Sequence, residues 1–223
     1  MNYNMDFSFV LRYQSLYLQG TRNTILLAFL AVFFGGILGV ILALMRRSQI
    51  KPVKFLATAY IEFIRGTPLL VQLFIIFYGL PVITGMRFPD FVAGVIALTI
   101  NSAAYIAEII RAGIQSIDRG QMEAARSLGM PHGMAMRFII IPQAFKNILP
   151  ALGNEFIVVI KESAIVSVIG IYDIMRSANI VRGITYRPFE PLIVAALIYF
   201  ILTFTLSNLL GIMERRMRAG DSH

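Results

Sequence analysis

Long apolar stretches alternate with short polar ones along this chain, and the apolar stretches set the expected elements. A helix that crosses the hydrocarbon of a bilayer needs about 20 mainly apolar residues. Thr24 to Met45, Gly66 to Met86, Phe91 to Ala107 and Pro191 to Met213 carry no charge and meet or approach that length. A fifth run, about Lys146 to Tyr172, is apolar but holds Glu155, Lys161 and Glu162. The pattern predicts an all-α membrane protein with one domain over 1–223 and spans near residues 22–45, 55–82, 90–113, 143–172 and 191–213. Three connections have distinct character: Val82 to Asp90 is short, Asp173 to Glu190 is polar with room for an interfacial helix, and Ile114 to Phe145 is long and rich in helix formers.

Composition agrees with membrane residence. Hydrophobic residues make up 57% of the chain and charged ones 14%, where a soluble domain is about a quarter charged. Mean hydropathy is +0.73. The net charge of +8 does not read as a nucleic-acid footprint, because the cations sit between apolar runs. Arg46, Arg47, Lys51, Lys54, Arg111, Arg119, Arg126, Arg137, Lys146, Arg215, Arg216 and Arg218 fall on one side of the five spans. Arg12, Arg22, Arg87, Arg176, Arg182 and Arg187 fall on the other. The excess places the first group in the cytoplasm, with the N-terminus outside and the C-terminus inside. No cleavable signal is evident, since the first apolar run ends in Arg46-Arg47. With no cysteine, disulfides, thiol catalysis and cysteine metal sites are excluded.

Within the long connection, residues 118–142 read DRGQMEAARSLGMPHGMAMRFIIIP. Met122 to Leu128 is a helix-forming run ended by Gly129 and Pro131, so a short helix about 121–129 is expected at the cytoplasmic face. On physical grounds alone it can be a mere connector between spans. Glu123-Ala124-Ala125, then Gly129, Ile139 and Pro142 resemble the EAA loop of permease subunits of ABC importers, with Ile141 where the pattern has Leu. Gly120-Gln121, Arg65-Gly66-Thr67-Pro68-Leu69 and Asn154-Glu155-Phe156-Ile157 are similar to the polar amino-acid branch of that family, and the likeness runs over about residues 15–215. The resemblance implies a five-helix type I importer permease whose short coupling helix docks in a cleft of a cytoplasmic ATPase. It implies Glu123, Ala124, Ala125, Arg126 and Gly129 as coupling residues. It also implies ATPase subunits, a second permease subunit (two copies of this chain favoured, a close relative possible) and an extracytoplasmic amino-acid-binding protein as partners. The chain contains no G-x-x-x-x-G-K-[ST] phosphate loop; ATP and magnesium are expected on the separate ATPase, and no cofactor or metal on this chain.

Ionisable and polar groups inside a span are functional candidates by default. Asn101, Tyr105 and Glu108 share a face of the third span, flanked by Ser102, and Glu155 and Glu162 share a face of the fourth beside Lys161. A zwitterionic amino acid needs a carboxylate for its ammonium group and hydroxyl or amide donors for its carboxylate. Glu155 suits the first need; Asn101, Ser102 and Tyr105 suit the second. Lys161 and Glu162 complete the candidate set, although ion pairing is the plainer reading for them and for Glu108 with Arg111. Arg65 and Glu62 are expected to pair at the helix entry, and Gln72 to make an interhelical hydrogen bond. Gly35, Gly36 and Gly39 allow another helix to approach closely, without saying which. An intramembrane enzyme fits poorly: of two histidines, His132 lies in the cytoplasmic connection and His223 ends the chain. A passive channel or secondary transporter would use the buried polar groups but leave the EAA segment without a purpose.

Overall fold

The computed structural model of the chain describes residues 5–219; His223 and the side chain of Arg218 lie outside them. The described residues fold as helices joined by short turns. After a single turn, α1 (Phe9–Arg12), come α2 (Gln14–Arg46) and α3 (Lys51–Gly66). Next are α4 (Leu69–Phe74), a π turn (Ile75–Gly79) and α5 (Leu80–Thr84), which run on as one rod. Then follow α6 (Asp90–Gln115), α7 (Arg119–Ser127) and α8 (His132–Ala135). A second π turn (Met136–Ile140) leads into α9 (Ile141–Glu162), which tightens into a 3₁₀ segment (Ser163–Ile169). α10 (Ile174–Thr185) and α11 (Glu190–Ala219) complete the chain.

Among the described residues three helices are long and apolar enough to cross a bilayer: Gln14–Arg46, Asp90–Gln115 and Glu190–Met217. The sequence pattern predicts a span near 55–82 in which Pro68 starts or kinks a helix, and the chain does break at that proline. Lys51–Gly66 and Leu69–Thr84 meet at an angle of 110°. Pro68 has no N–H to donate, and its ring drives Thr67 into the extended region (φ −117°, ψ 147°), so the helix cannot continue through it. The fourth predicted span, 143–172, is α-helical only to Glu162; the 3₁₀ segment ends at Gly170, whose φ of +89° turns the chain.

α2 and α6 pack along most of their length. The glycine stripe of α2 explains the closeness: a Cβ on Gly39 would come within 2.7 Å of Ile106 and 3.1 Å of the Ala103 carbonyl, and one on Gly35 within 3.2 Å of Ser102. Gly36 faces open space. Around that seam Leu27, Ala31, Leu73, Leu98, Ile160 and Val166 form the main core. A second cluster (Tyr17, Ile174, Ala178, Val181) seats α10 on α2, and a third (Ala43, Ile61, Ala107) holds α3 at the opposite end. Large apolar side chains on the outer faces of α2 and α11, such as Phe29, Phe33, Phe200 and Phe204, are exposed, which suits contact with lipid.

α10 occupies the polar connection expected to hold an interfacial helix, and Asp173 builds its start. The Asp173 carboxylate caps the helix by accepting from the Arg176 N–H at 2.7 Å, and it accepts from the Tyr199 hydroxyl at 3.3 Å. Burial pushes this carboxyl up from 3.8 to about 6, against those hydrogen bonds. The folded protein therefore holds this proton more tightly than the unfolded chain. The resulting stabilisation is complete below 3.8 and is lost as pH rises through about 6. Asp6 acts in the opposite sense: hydrogen bonds from Ser8 and the nearby Arg187 hold its carboxyl below 3.8, so its contribution fades only as pH falls below that. Thermal unfolding in nanodiscs should show a midpoint that declines from pH 4 to 7. Asp173→Asn, which keeps a capping oxygen, should flatten that decline; an unchanged slope in the variant would reassign it to another group.

Candidate functional site

Two adjacent residues of α6 tie it to both neighbours. Asn101 Nδ2 donates to Gln72 Oε1 of α4 at 3.0 Å, and Ser102 Oγ donates to Glu155 Oε1 of α9 at 3.1 Å. Asn101, Ser102, Gln72 and Glu155 are all buried. The helix break explains Gln72. Pro68 cannot donate to the Ile64 carbonyl, and Gln72 Nε2 takes that acceptor at 2.7 Å, with the Thr67 carbonyl at 3.0 Å and Thr67 Oγ1 at 2.9 Å also in range. The same side chain thus seals the break and holds Asn101. The second oxygen of Glu155 makes no hydrogen bond among the described residues, yet it is not sealed from the surface.

The remaining candidates fall elsewhere. Tyr105 is 36% exposed, and the Arg65 guanidinium lies over its ring at 5.7 Å. Lys161 and Glu162 are exposed near the end of α9 and form no salt bridge among the described residues. They are nonetheless near enough for Lys161 to attract the Glu162 carboxylate electrostatically. Glu108 does pair with Arg111, as expected, but it also draws Arg46 (2.8 Å) and Arg65 (3.9 Å). The expected Glu62–Arg65 pair is replaced: Glu62 goes to Arg46 at 3.4 Å and Arg65 turns to Glu108. Glu108, with 19% of its side chain exposed against 60% for Glu62, offers Arg65 a charge less screened by water.

At the end of the bundle where α2 stops and α3 starts stands α7, two residues earlier than the sequence suggests. Asp118 caps it, accepting from the Gly120 N–H at 2.6 Å. Its C-terminus closes in a Schellman motif: the Met130 N–H reaches the Ala125 carbonyl at 3.1 Å and the Gly129 N–H the Arg126 carbonyl at 3.0 Å. Gly129 has φ +82°, a region that side-chain-bearing residues avoid. Ala125 is buried against the chain itself, whereas Glu123, Ala124, Arg126 and Leu128 are exposed. Only Ala124 of the alanine pair therefore lies open to a partner, and Arg126 is occupied with the Met130 carbonyl at 3.0 Å. The burial of Asp173 escaped the sequence reading, as did Arg46 and Arg65 as partners of Glu108. An aspartate before a helix-forming run signals the cap, but nothing in the sequence signals its burial.

An apolar bundle with a buried polar cluster inside it and a capped amphipathic helix outside it has the makings of a solute permease. Comparison with known proteins gives the family. Residues 35–219 match the binding-protein-dependent transport system inner membrane component family, and the chain belongs to it. The arginine transport system permease protein ArtQ of Bacillus subtilis is 45% identical over 98% of this chain and 100% of its own length. The probable glutamine ABC transporter permease protein GlnM of the same organism is 45% identical over 91% of this chain and 94% of its own. A solved structure of an amino acid ABC transporter with histidines contains a chain 59% identical to this one, with a TM-score of 0.92 over 96% of this chain and 100% of that one. The inward-facing MetNI methionine transporter, 21% identical with a TM-score of 0.74 over 96% of this chain and 99% of that one, shares the fold. The resemblance read from the EAA segment is borne out, and the fold is the all-helical type I ABC importer permease fold.

Proposed function

We propose that this chain is the permease subunit of an ABC importer that moves a polar amino acid, such as arginine or glutamine, across a bacterial cytoplasmic membrane. The observation that carries the proposal is the buried pair Ser102–Glu155 beside Asn101–Gln72, inside an otherwise apolar bundle. Glu155 receives the ammonium group; Asn101 and Ser102 receive the carboxylate; Tyr105, Lys161 and Glu162 meet the side chain as it passes. The spans are α2, the broken α3–α5 unit, α6, α9 and α11. The N-terminus lies outside and the C-terminus inside, which puts α7 and its cations in the cytoplasm.

α7 is the coupling helix. Glu123 and Ala124 meet a cleft of the ATPase, Ala125 and Arg126 keep the helix attached to its own chain, and Gly129 fixes the turn that follows. Because the helix is capped at both ends, closure of two ATPases moves it as a rigid body together with the helices it joins. Two copies of this chain form the pathway, and an extracytoplasmic amino-acid-binding protein delivers the cargo. The relatives are transport permeases, and the energy comes from the ATPase. The test is reconstitution in proteoliposomes with an ATPase subunit and binding protein of the same system, over a panel of amino acids. Stimulated ATP hydrolysis with uptake for a small set of polar amino acids is expected. Uptake indifferent to ATP would return the chain to the class of channels and secondary transporters.

A further inference from the structure

Between α2, α3 and α6, at the end of the bundle that carries α7, lies a crevice of about 460 Å³. Its lining includes Arg46, Arg47, Lys54 and Arg111, with Ala43 and Ile110 as its apolar floor, and no carboxylate. Arg46 and Arg111 are partly neutralised by Glu62 and Glu108. Arg47 and Lys54 have no carboxylate within 4 Å among the described residues; the side-chain contact of Arg47 is the Met136 sulfur at 3.8 Å. The cations therefore outnumber the carboxylates that serve them, and the surplus points into one concave space.

Four cations gathered in a crevice repel one another unless an anion joins them. Guanidinium and ammonium groups together suit the oxygens of a phosphate. The position adds the second half of the ligand. Arg46 and Arg47 end the apolar rod of α2, and Lys54 lies in the first turn of α3, so the crevice sits where the hydrocarbon of the membrane gives way to headgroups. Exposed apolar side chains stand next to these cations along the chain: Leu44 is 66% exposed, Ile50 62% and Phe55 71%. A free phosphate needs the cations alone. A phospholipid needs the cations and an apolar surface beside them.

We propose that this crevice binds the phosphate headgroup of an anionic phospholipid, whose acyl chains run along Leu44, Ile50 and Phe55. The lipid brings the missing negative charge to the junction of α2, α3 and α6, next to the Glu108 cluster and one connection away from α7. The site is separate from the Asn101–Ser102–Glu155 group and makes no use of it.

The experiment uses the permease in complex with its ATPase, purified from nanodiscs that contain phosphatidylcholine alone or mixed with phosphatidylglycerol. Native mass spectrometry should find phosphatidylglycerol retained in preference to phosphatidylcholine. The double variant Arg47→Gln/Lys54→Gln leaves the Glu108 ion pairs in place and should lower that preference by about 10- to 30-fold. Excess inorganic phosphate should leave retention unchanged. Equal retention by the variant overturns the proposal, and displacement of the lipid by inorganic phosphate assigns the crevice to a soluble anion instead. Photolabelling of the wild-type complex with an azido phosphatidylglycerol does not depend on how the variant folds. Label in the segments around Arg47, Lys54 and Arg111 is expected; label confined to other segments contradicts the site.

Discussion

Glu155→Gln should lower the affinity of the transport pathway for its amino acid by about 30-fold or more while leaving the bundle folded. The replacement keeps an oxygen that accepts from Ser102, so the tie between α6 and α9 survives. What disappears is the charge opposite the ligand's ammonium group. Removing one partner of a desolvated, hydrogen-bonded charge pair costs about 2–5 kcal/mol, and each 1.4 kcal/mol is about tenfold in binding. The neighbouring Asn101–Gln72 contact offers no negative charge to take its place. Uptake measured against amino-acid concentration, with thermal unfolding as a folding control, reads both consequences. A variant that transports with unchanged concentration dependence would remove Glu155 from the pathway and leave it a structural tie.

Gly129→Val is expected to damage coupling more than stability. Gly129 holds φ +82° at the end of α7 and closes its Schellman motif. A β-branched residue there costs about 1–2 kcal/mol, enough to favour an alternative turn by about tenfold. The strain falls on an exposed turn where an added Cβ would meet nothing within 4 Å, so the core is spared. α7 would then lose its rigid link to α8 and α9. ATP hydrolysis should continue while uptake falls about tenfold, so that the ratio of ATP consumed to amino acid moved rises. Equal loss of both activities would mean that Gly129 serves assembly with the ATPase and not transmission.

The apolar runs disclosed most of the rods, because length and lack of charge are enough to define a helix in a bilayer. They did not disclose the shape of the second. Pro68 announces an interruption, but its 110° angle depends on Gln72 supplying a donor to the Ile64 carbonyl from eight residues further on. The polar site was legible in its chemistry: Asn101, Ser102 and Glu155 stand out as polar groups in apolar helices, and two of them meet. Their partners were legible only in part. Gln72 read as making an interhelical hydrogen bond without a named partner, and Glu108 was assigned its neighbour Arg111 but not Arg46, which comes from another helix. Spacing along one helix finds partners within that helix; only the fold brings in those from outside. The same limit governs α7, where the sequence offers Ala124 and Ala125 as equivalent small residues, and packing turns one inward and leaves the other exposed.

In the proposed function α7 is the surface that a separate ATPase grips. The chain has no cysteine, so Ala124→Cys creates a single thiol on the exposed face of that helix. In proteoliposomes with the ATPase, a short bifunctional thiol reagent should join this cysteine to one introduced in the ATPase cleft, and the linked complex should show ATP-sensitive formation and altered uptake. Labelling of Cys at that position by an impermeant reagent from the extracytoplasmic side, or failure to link at any ATP concentration while uptake proceeds, would contradict it.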